Sequence, residues 1–262
     1  MKKTILLAVS ALILSFFTVS AQGLHNAQDK AMPESLQASV FDIDITPPVG
    51  YKMPYGVVIN GWDLGLRAKG IVLSGSGKPV VLVSLDWLGI ANDCYDEFKR
   101  SLARAAGTVP ERVAVHVIHQ HDAPYPQDFL NDSFALSVIH RLEMAVARSL
   151  ENPIPVTHIG LGEAQVHRVA SNRRILGVDG KVKATRWTAC KDSALREEPE
   201  GLVDPILSAV SFWNGDRPVA VLNFYATHPQ SYYHTGVPNP DYPGIARFYR
   251  QLDMPDALQV YF

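Results

Sequence analysis

The sequence predicts an α/β protein, a mixed β-sheet flanked by helices. Three observations lead there. Short β-rich runs alternate with amphipathic helical stretches. Some neighbouring runs are joined by glycine turns, which makes antiparallel hairpins, whereas others are separated by a helix-length segment, which permits parallel neighbours. The 262 residues are 47% apolar and 19% charged, with 18 Gly and 18 Pro, so a sizeable core is available and disordered or collagen-like chains are excluded.

The chain opens with Lys2 and Lys3 before an apolar run from Ile5 to Val19, and Val19-Ser20-Ala21 offers small residues where a signal peptidase cuts. Residues 1–21 therefore read as a cleaved signal peptide, and the mature protein as secreted or periplasmic. The run is shorter than the roughly 20 residues that span a bilayer, and no Cys follows Ala21, so no stable membrane anchor is expected after cleavage. Residues 22–38 are polar and aperiodic and read as a linker, with the domain proper at 39–262.

Val40 to Thr46 alternates Phe41, Ile43 and Ile45 against Asp42 and Asp44, a strand stopped by Pro47-Pro48. Leu66 to Leu73 and Pro79 to Leu85 form a hairpin around Ser74-Gly75-Ser76-Gly77-Lys78. Asn92 is placed as the cap of a helix to about Ala106, with Gly107 as its left-handed end. Arg112 to His119 is a Val-rich strand. Behind Asn131-Asp132-Ser133, the residues Phe134, Val138, Leu142, Val146 and Leu150 recur every fourth position, the clearest helix in the chain. Strands follow near Thr157–Ala164, Ile206–Trp213 and Pro218–Thr227, the last two turning at Asn214-Gly215-Asp216. A helix from about Pro243 to Leu252 and a strand from Leu258 to Phe262 complete the order. An apolar β-segment at the very end, where termini are ordinarily polar, suggests a fold incomplete at its C-terminal side.

The 24 Lys+Arg and 26 Asp+Glu give −2, and losing Lys2 and Lys3 with the signal takes the mature chain to −4. No basic surface for nucleic acid is expected. Cys94 and Cys190 would meet an oxidising compartment and are candidates to pair.

Histidines carry the candidate chemistry. His119-Gln120-His121 lies where a strand runs out, and a two-residue period would point both rings to the face of Val113, Val115 and Val117. Neutral imidazole is a common metal ligand, and the carboxyl rim of a sheet is where α/β proteins place their sites. The plainer reading is a hydrogen-bonded pair at a strand end. His228 repeats the arrangement at the end of Val219–Thr227, before Pro229. Two or three histidines do not complete a four-coordinate zinc shell, so further ligands are required. Asp86 reads equally as a partner for a ligating histidine or as a turn former; Asp241 reads as orienting a ligand or, in preference, as a helix cap. His25, His116, His140, His158, His167 and His234 are assigned structural roles, and Trp62, Trp87, Trp187 and Trp213 are assigned to the core.

Asp44-Ile45-Thr46-Pro47-Pro48-Val49-Gly50, His119-Gln120-His121-Asp122-Ala123-Pro124, Asn172-Arg173-Arg174, Ala226-Thr227-His228-Pro229 and Asp241-Tyr242-Pro243-Gly244 occur in one order. In that order they resemble the N-terminal catalytic domain of the neutral/alkaline non-lysosomal ceramidase family, from about Ser39 to Phe262. The resemblance implies a zinc-dependent amidase that splits the N-acyl bond of ceramide or a related N-acyl lipid. It implies zinc ligands at His119 and His228, and catalytic roles beside the scissile amide for His121 and Arg173. The family's remaining ligands, a glutamate and a tyrosine, and its serine-bearing Gly-rich segment would lie beyond Phe262. Where the family has Thr-His-Thr-His-Ser-Gly, this chain has Ile118-His119-Gln120-His121-Asp122-Ala123. Arg174 adds a cation where the family has a small residue, which would favour an anionic or more polar acyl compound.

Two other functions fit the same residues. A two-metal hydrolase can begin from such a histidine pair, but Ala123 stands where its Asp would be. A non-catalytic exported binding module on the same scaffold is the other.

Overall fold

A computed structural model describes residues 35–62 and 64–262 of the chain. The expected signal peptide, most of the expected linker and His25 lie outside the described residues.

The α/β class holds, with two principal mixed sheets in place of one. The first has the order β6-β5-β4-β1-β7, built from β1 (Gln37–Asp44), β4 (Arg67–Gly75), β5 (Gly77–Leu85), β6 (Val113–Val117) and β7 (Ile154–Pro155). The second has the order β13-β12-β11-β8, from β8 (His158–Gln165), β11 (Ile206–Asn214), β12 (Arg217–Tyr225) and β13 (Leu258–Tyr261). Each combines antiparallel hairpins with one parallel pair, β5 with β6 and β12 with β13, and each of those pairs is separated by a helix as the spacing implied. Two small ribbons complete the strands among the described residues: β2 (Lys52–Met53) with β3 (Gly56–Val57), and β9 (Arg174–Leu176) with β10 (Val182–Thr185).

Alternation along the strands assigns the layers. In β1, β4 and β5, Phe41, Ala68, Val72, Val81, Val83 and Leu85 face helices α1 (Asn92–Ala106) and α2 (Ser133–Ser149), in a cluster with Trp87, Phe98, Leu102, Val138 and Leu142. Residues of opposite parity, Ala38, Ile71 and Leu82, face the second sheet and meet Phe212, Ala220, Leu222 and Val260. The first sheet is thus covered on both faces, and that burial supplies most of the hydrophobic drive. A short helix α3 (Ser193–Glu197) follows the β9–β10 ribbon, and α4 (Asp241–Asp253) leads into β13.

In α2 the Asp132 carboxylate accepts from the Ala135 amide at 2.9 Å, as the Asn-Asp-Ser start predicted. Val138, Leu142 and Val146 are fully buried, but Phe134 and Leu150 only partly. A four-residue step overshoots one helical turn by about 40°, so the two ends of the stripe rotate away from the core. Gly107 closes α1 at φ 63 and Gly77 turns the β4–β5 hairpin at φ 94, both in the region that favours glycine.

Four expectations change. Asn92 does not cap α1: Ala91 holds that position without a side-chain bond, and Asn92 is the first helical residue, at φ 52. Strand β1 begins at Gln37, so residues 37 and 38 of the expected linker are paired with β4. Trp87 is core, but Trp187 is 64% exposed, while Trp62 and Trp213 are half-buried against Tyr232 and His158. Cys94 and Cys190 are both free thiols, Cys94 buried within α1.

Candidate metal centre

The carboxyl ends of β6 and β12 bring the predicted histidines together. His119, His121 and His228 each offer a ring nitrogen, and these nitrogens all lie within 4.8 Å of one another. Ring centroids are 5.4 Å apart for His119 and His121, 5.3 Å for His119 and His228, and 4.8 Å for His121 and His228.

The route to this convergence differs from the one expected. β6 ends at Val117, and His119 adopts φ 63, a left-handed conformation that breaks the two-residue alternation. The backbone amides of Ile118 and His119 follow the chain leaving β5, donating to Leu85 O and Trp87 O at 3.1 Å each. Between the two histidines, Gln120 points into the interior, fully buried, with its amide donating to the backbone carbonyls of Asp86 and Asn239. The left-handed residue lets the two imidazoles flank an inward Gln120. His228 likewise lies three residues beyond the end of β12, before the buried Pro229.

Hydrogen bonds assign the nitrogens. His119 Nδ1 is 2.7 Å from Leu88 O, an acceptor only, so Nδ1 carries the proton and Nε2 keeps its lone pair. A ring N–H on a backbone carbonyl is the usual outer support of a metal-binding histidine. Gln230 Nε2 donates to His121 Nδ1 at 3.3 Å, and Gln230 Oε1 accepts from Thr188 Oγ1 at 2.7 Å. His121 then carries its proton on Nε2, which is 2.9 Å from His228 Nε2. His121 is therefore a donor, and His228 Nε2 an acceptor. Burial, followed by His228 and His119 as neighbouring like charges, pushes His121 down to about 4. Burial, then His119 and Arg173, lowers His228 as well. Both shifts favour the neutral rings that metal binding requires.

Arg173 is exposed and lies over the Trp187 ring, 5.3 Å from its centroid. It lines a cavity with His228 and Gln230. Arg173 and His228 therefore border the same cavity.

Several neighbours have no signal in the sequence. Tyr55, between β2 and β3, stacks on His121 at 5.1 Å and 5°. Tyr233 packs edge-on to His121 at 5.7 Å, and His234, assigned a structural role above, packs against Tyr55 and Tyr233. Gln230 is the fourth. Tyr55 comes from a distant loop, whereas Gln230, Tyr233 and His234 lie on the loop that follows His228 and meet His121 or Tyr55 only through the fold.

Asp241 does not cap α4. Pro240 is the cap, and the Asp241 carboxylate instead accepts the amides of Ser231 and Tyr232 at 2.8 and 3.1 Å, as well as that of Tyr242. Asp122 accepts from the amide and hydroxyl of Thr235. Two buried carboxylates thus clamp the loop that follows His228, and neither presents its charge to the histidines as a free ligand. Asp86 is neither a histidine partner nor a turn former: it pairs with Arg247 at 2.7 and 2.5 Å and accepts the Arg67 amide at 2.9 Å.

No protein-family profile and no curated protein sequence matches the chain. Among solved structures, the fold is similar to the neutral ceramidase from Pseudomonas aeruginosa, with a TM-score of 0.62 and 17% identity over 87% of this chain and 38% of that one. It is also similar to a ceramidase complexed with C2, with a TM-score of 0.64 and 16% identity over 87% of this chain and 37% of that one. The chain spans less than two-fifths of the length of these proteins, and at such identity the likeness concerns the fold.

Proposed function

We propose that this chain carries the histidine centre of an exported, zinc-dependent amidohydrolase that cleaves the N-acyl bond of ceramide or a related N-acyl lipid. The observation that carries the reading is the meeting of three imidazoles, from the ends of strands in two different sheets, with one nitrogen of each within 4.8 Å of the others. The likeness in fold to neutral ceramidase supports it.

The donor set fits zinc. It consists of neutral imidazoles, with His119 Nε2 left free by the Leu88 carbonyl and His228 Nε2 acting as an acceptor. His119 and His228 would hold the ion, with further ligands from elsewhere. The donors gather at one place among the described residues, which suits one ion better than two. Zinc supplies Lewis acidity when bound, polarising a carbonyl and acidifying water.

The chain's own residues do the rest. With the His228 lone pair committed, His121 Nε2–H is free to donate to the amide. In the hydrolysis, water oxygen bonds to the acyl carbon as one of its protons passes to His121, the C–N bond breaks, and the His121 imidazolium so formed gives a proton to the amine nitrogen. Arg173 stabilises negative charge developing on the carbonyl oxygen, a contribution of up to roughly 3–4 kcal/mol if aimed at the transition state. Tyr55 and Gln230 fix the plane and tautomer of His121. A hollow of about 540 Å³ bordered by Ile206, Phe224 and Phe262 opens beside His119 and His228 and suits an acyl chain.

The test is zinc analysis of the full-length exported protein, with hydrolysis assays over N-acyl sphingoids and polar N-acyl compounds. His119→Ala and His228→Ala should each lose zinc and turnover together. Metal retained in both variants defeats the reading.

A further inference from the structure

The residues around His228 distinguish two sides of the centre. On one side is the apolar hollow with Ile206, Phe224 and Phe262. On the other is a cavity of about 600 Å³ lined by Arg168, Arg173, Arg186 and Arg196 together with Glu198 and Glu200. Thr227 and His228 belong to both. A ligand with its reacting group at His228 therefore has an apolar space in one direction and a cationic one in the other.

The charges in the second cavity are not internally matched. Arg186 is committed to the carbonyls of Leu195, Glu198, Asn172 and Pro199. Glu198 pairs with Lys183 at 2.7 Å. Among the described residues, the guanidinium groups of Arg168, Arg173 and Arg196 have no carboxylate partner and no hydrogen bond. Exposed arginines without partners are common, but these three converge on one cavity, beside a candidate catalytic group. Arg168 also adopts φ 63, a left-handed conformation that, among the described residues, His119, His234 and Asp241 adopt at or beside the centre. Such backbone persists where the surroundings enforce it. Guanidinium groups gathered in this way form a site for oxyanions, which they bind through paired N–H donors.

We infer that the substrate is an N-acyl amide whose amine portion carries an oxyanion, a carboxylate or a phosphate. The inference rests on the amidohydrolase reading and names the substrate class. The acyl chain occupies the apolar hollow, the amide lies at the histidines, and the oxyanion is held by Arg168 and Arg196, leaving Arg173 for the carbonyl oxygen. Hydrolysis consumes one water, breaks the C–N bond, and releases a fatty acid and the anionic amine.

The test uses the zinc-loaded full-length protein and matched substrates. N-dodecanoyl glutamate is compared with its dimethyl ester, and N-dodecanoyl phosphoethanolamine with N-dodecanoyl ethanolamine. The charged member of at least one pair should have a kcat/KM about tenfold higher or more, as expected for one or two charge-assisted hydrogen bonds. The better pair identifies carboxylate or phosphate. In Arg168→Gln/Arg196→Gln the ratio should fall towards one, and Arg168→Lys/Arg196→Lys should restore part of it. Equal kcat/KM for charged and neutral members overturns the anion site while the amidase stands. If nothing is hydrolysed, calorimetric titration of the zinc-free protein with N-dodecanoyl glutamate and with N-dodecanoyl phosphoethanolamine separates the two claims. Binding of either that disappears in the Gln variant keeps the anion site and defeats the amidase, whereas no binding of either overturns both.

Discussion

His121 Nε2 lies 2.9 Å from His228 Nε2, so one of these nitrogens carries a proton and the other accepts it. The Gln230 amide on His121 Nδ1 makes His121 the donor. This asymmetry supports the two proposed roles, a ligand at His228 and a proton donor at His121. His121→Gln should therefore retain zinc near the wild-type stoichiometry while turnover falls by roughly 10²–10⁴-fold, the range for loss of a positioned acid–base group. Zinc content and kcat measured on the same preparation decide it. Loss of zinc in His121→Gln, in parallel with His119→Ala, would make all three histidines ligands.

Proton competition sets a second expectation. Metal binds only the neutral imidazole, so affinity falls when a ligand protonates. Burial and neighbouring positive groups hold His228 below the ordinary histidine value and push His121 down to about 4. Zinc retention should therefore persist as pH falls through about 6.5, the ordinary histidine value, and be lost at lower pH. The zinc-free fold follows the same sign. Between those two values the unfolded chain binds the His121 proton and the folded chain does not, so stability present above pH 6.5 declines towards pH 4. Zinc release followed by a chromogenic chelator, with a midpoint at or above 6.5, would contradict this.

Asp86 and Arg247 form a buried ion pair 161 residues apart in sequence, joining the end of β5 to α4, with side chains 0% and 5% exposed. Removal of one partner strands the other charge in the interior, which typically costs about 3–5 kcal/mol. Arg247→Ala and Asp86→Ala should each lower unfolding stability by that order in denaturant titrations. The double variant Asp86→Leu/Arg247→Met should recover a good part of the loss, because no unpaired charge remains. If both single variants cost under about 1 kcal/mol, the pair is not structurally important.

Residue type and order were enough to single out the histidines that meet, but not to derive their geometry. His119, His121 and His228 are legible because each follows an apolar strand and imidazole has few competing uses there. Strict alternation would place His119 and His121 on one face, yet His119 leaves the strand conformation and Gln120 takes the inward position. The α2 stripe was readable because a four-residue recurrence needs no tertiary partner. Tyr55, Gln230 and Arg247 were not, since each acquires its role from a residue more than sixty positions away. Trp187 misled for the opposite reason: aromatic size argues for burial, but its ring lies on the surface beneath Arg173.

The two cysteines provide a test of burial independent of the centre. Cys94 is in the interior of α1, and burial, followed by the nearby carboxylates Asp132, Asp128 and Asp93, pushes its thiol up to about 11. The thiolate is the reactive form, so a raised value and an inaccessible sulfur both suppress modification. Cys190 is only partly buried and lines the arginine cavity. A chromogenic disulfide reagent at pH 8 should thus titrate one thiol per chain in the native protein, at Cys190, and two after denaturation. Cys190→Ser should leave a native protein with almost no fast-reacting thiol. Two fast thiols in the folded protein would mean that α1 opens readily. No thiol before reduction and two after it would mean that the pair is disulfide-bonded, and that the chain adopts a different arrangement around Cys94.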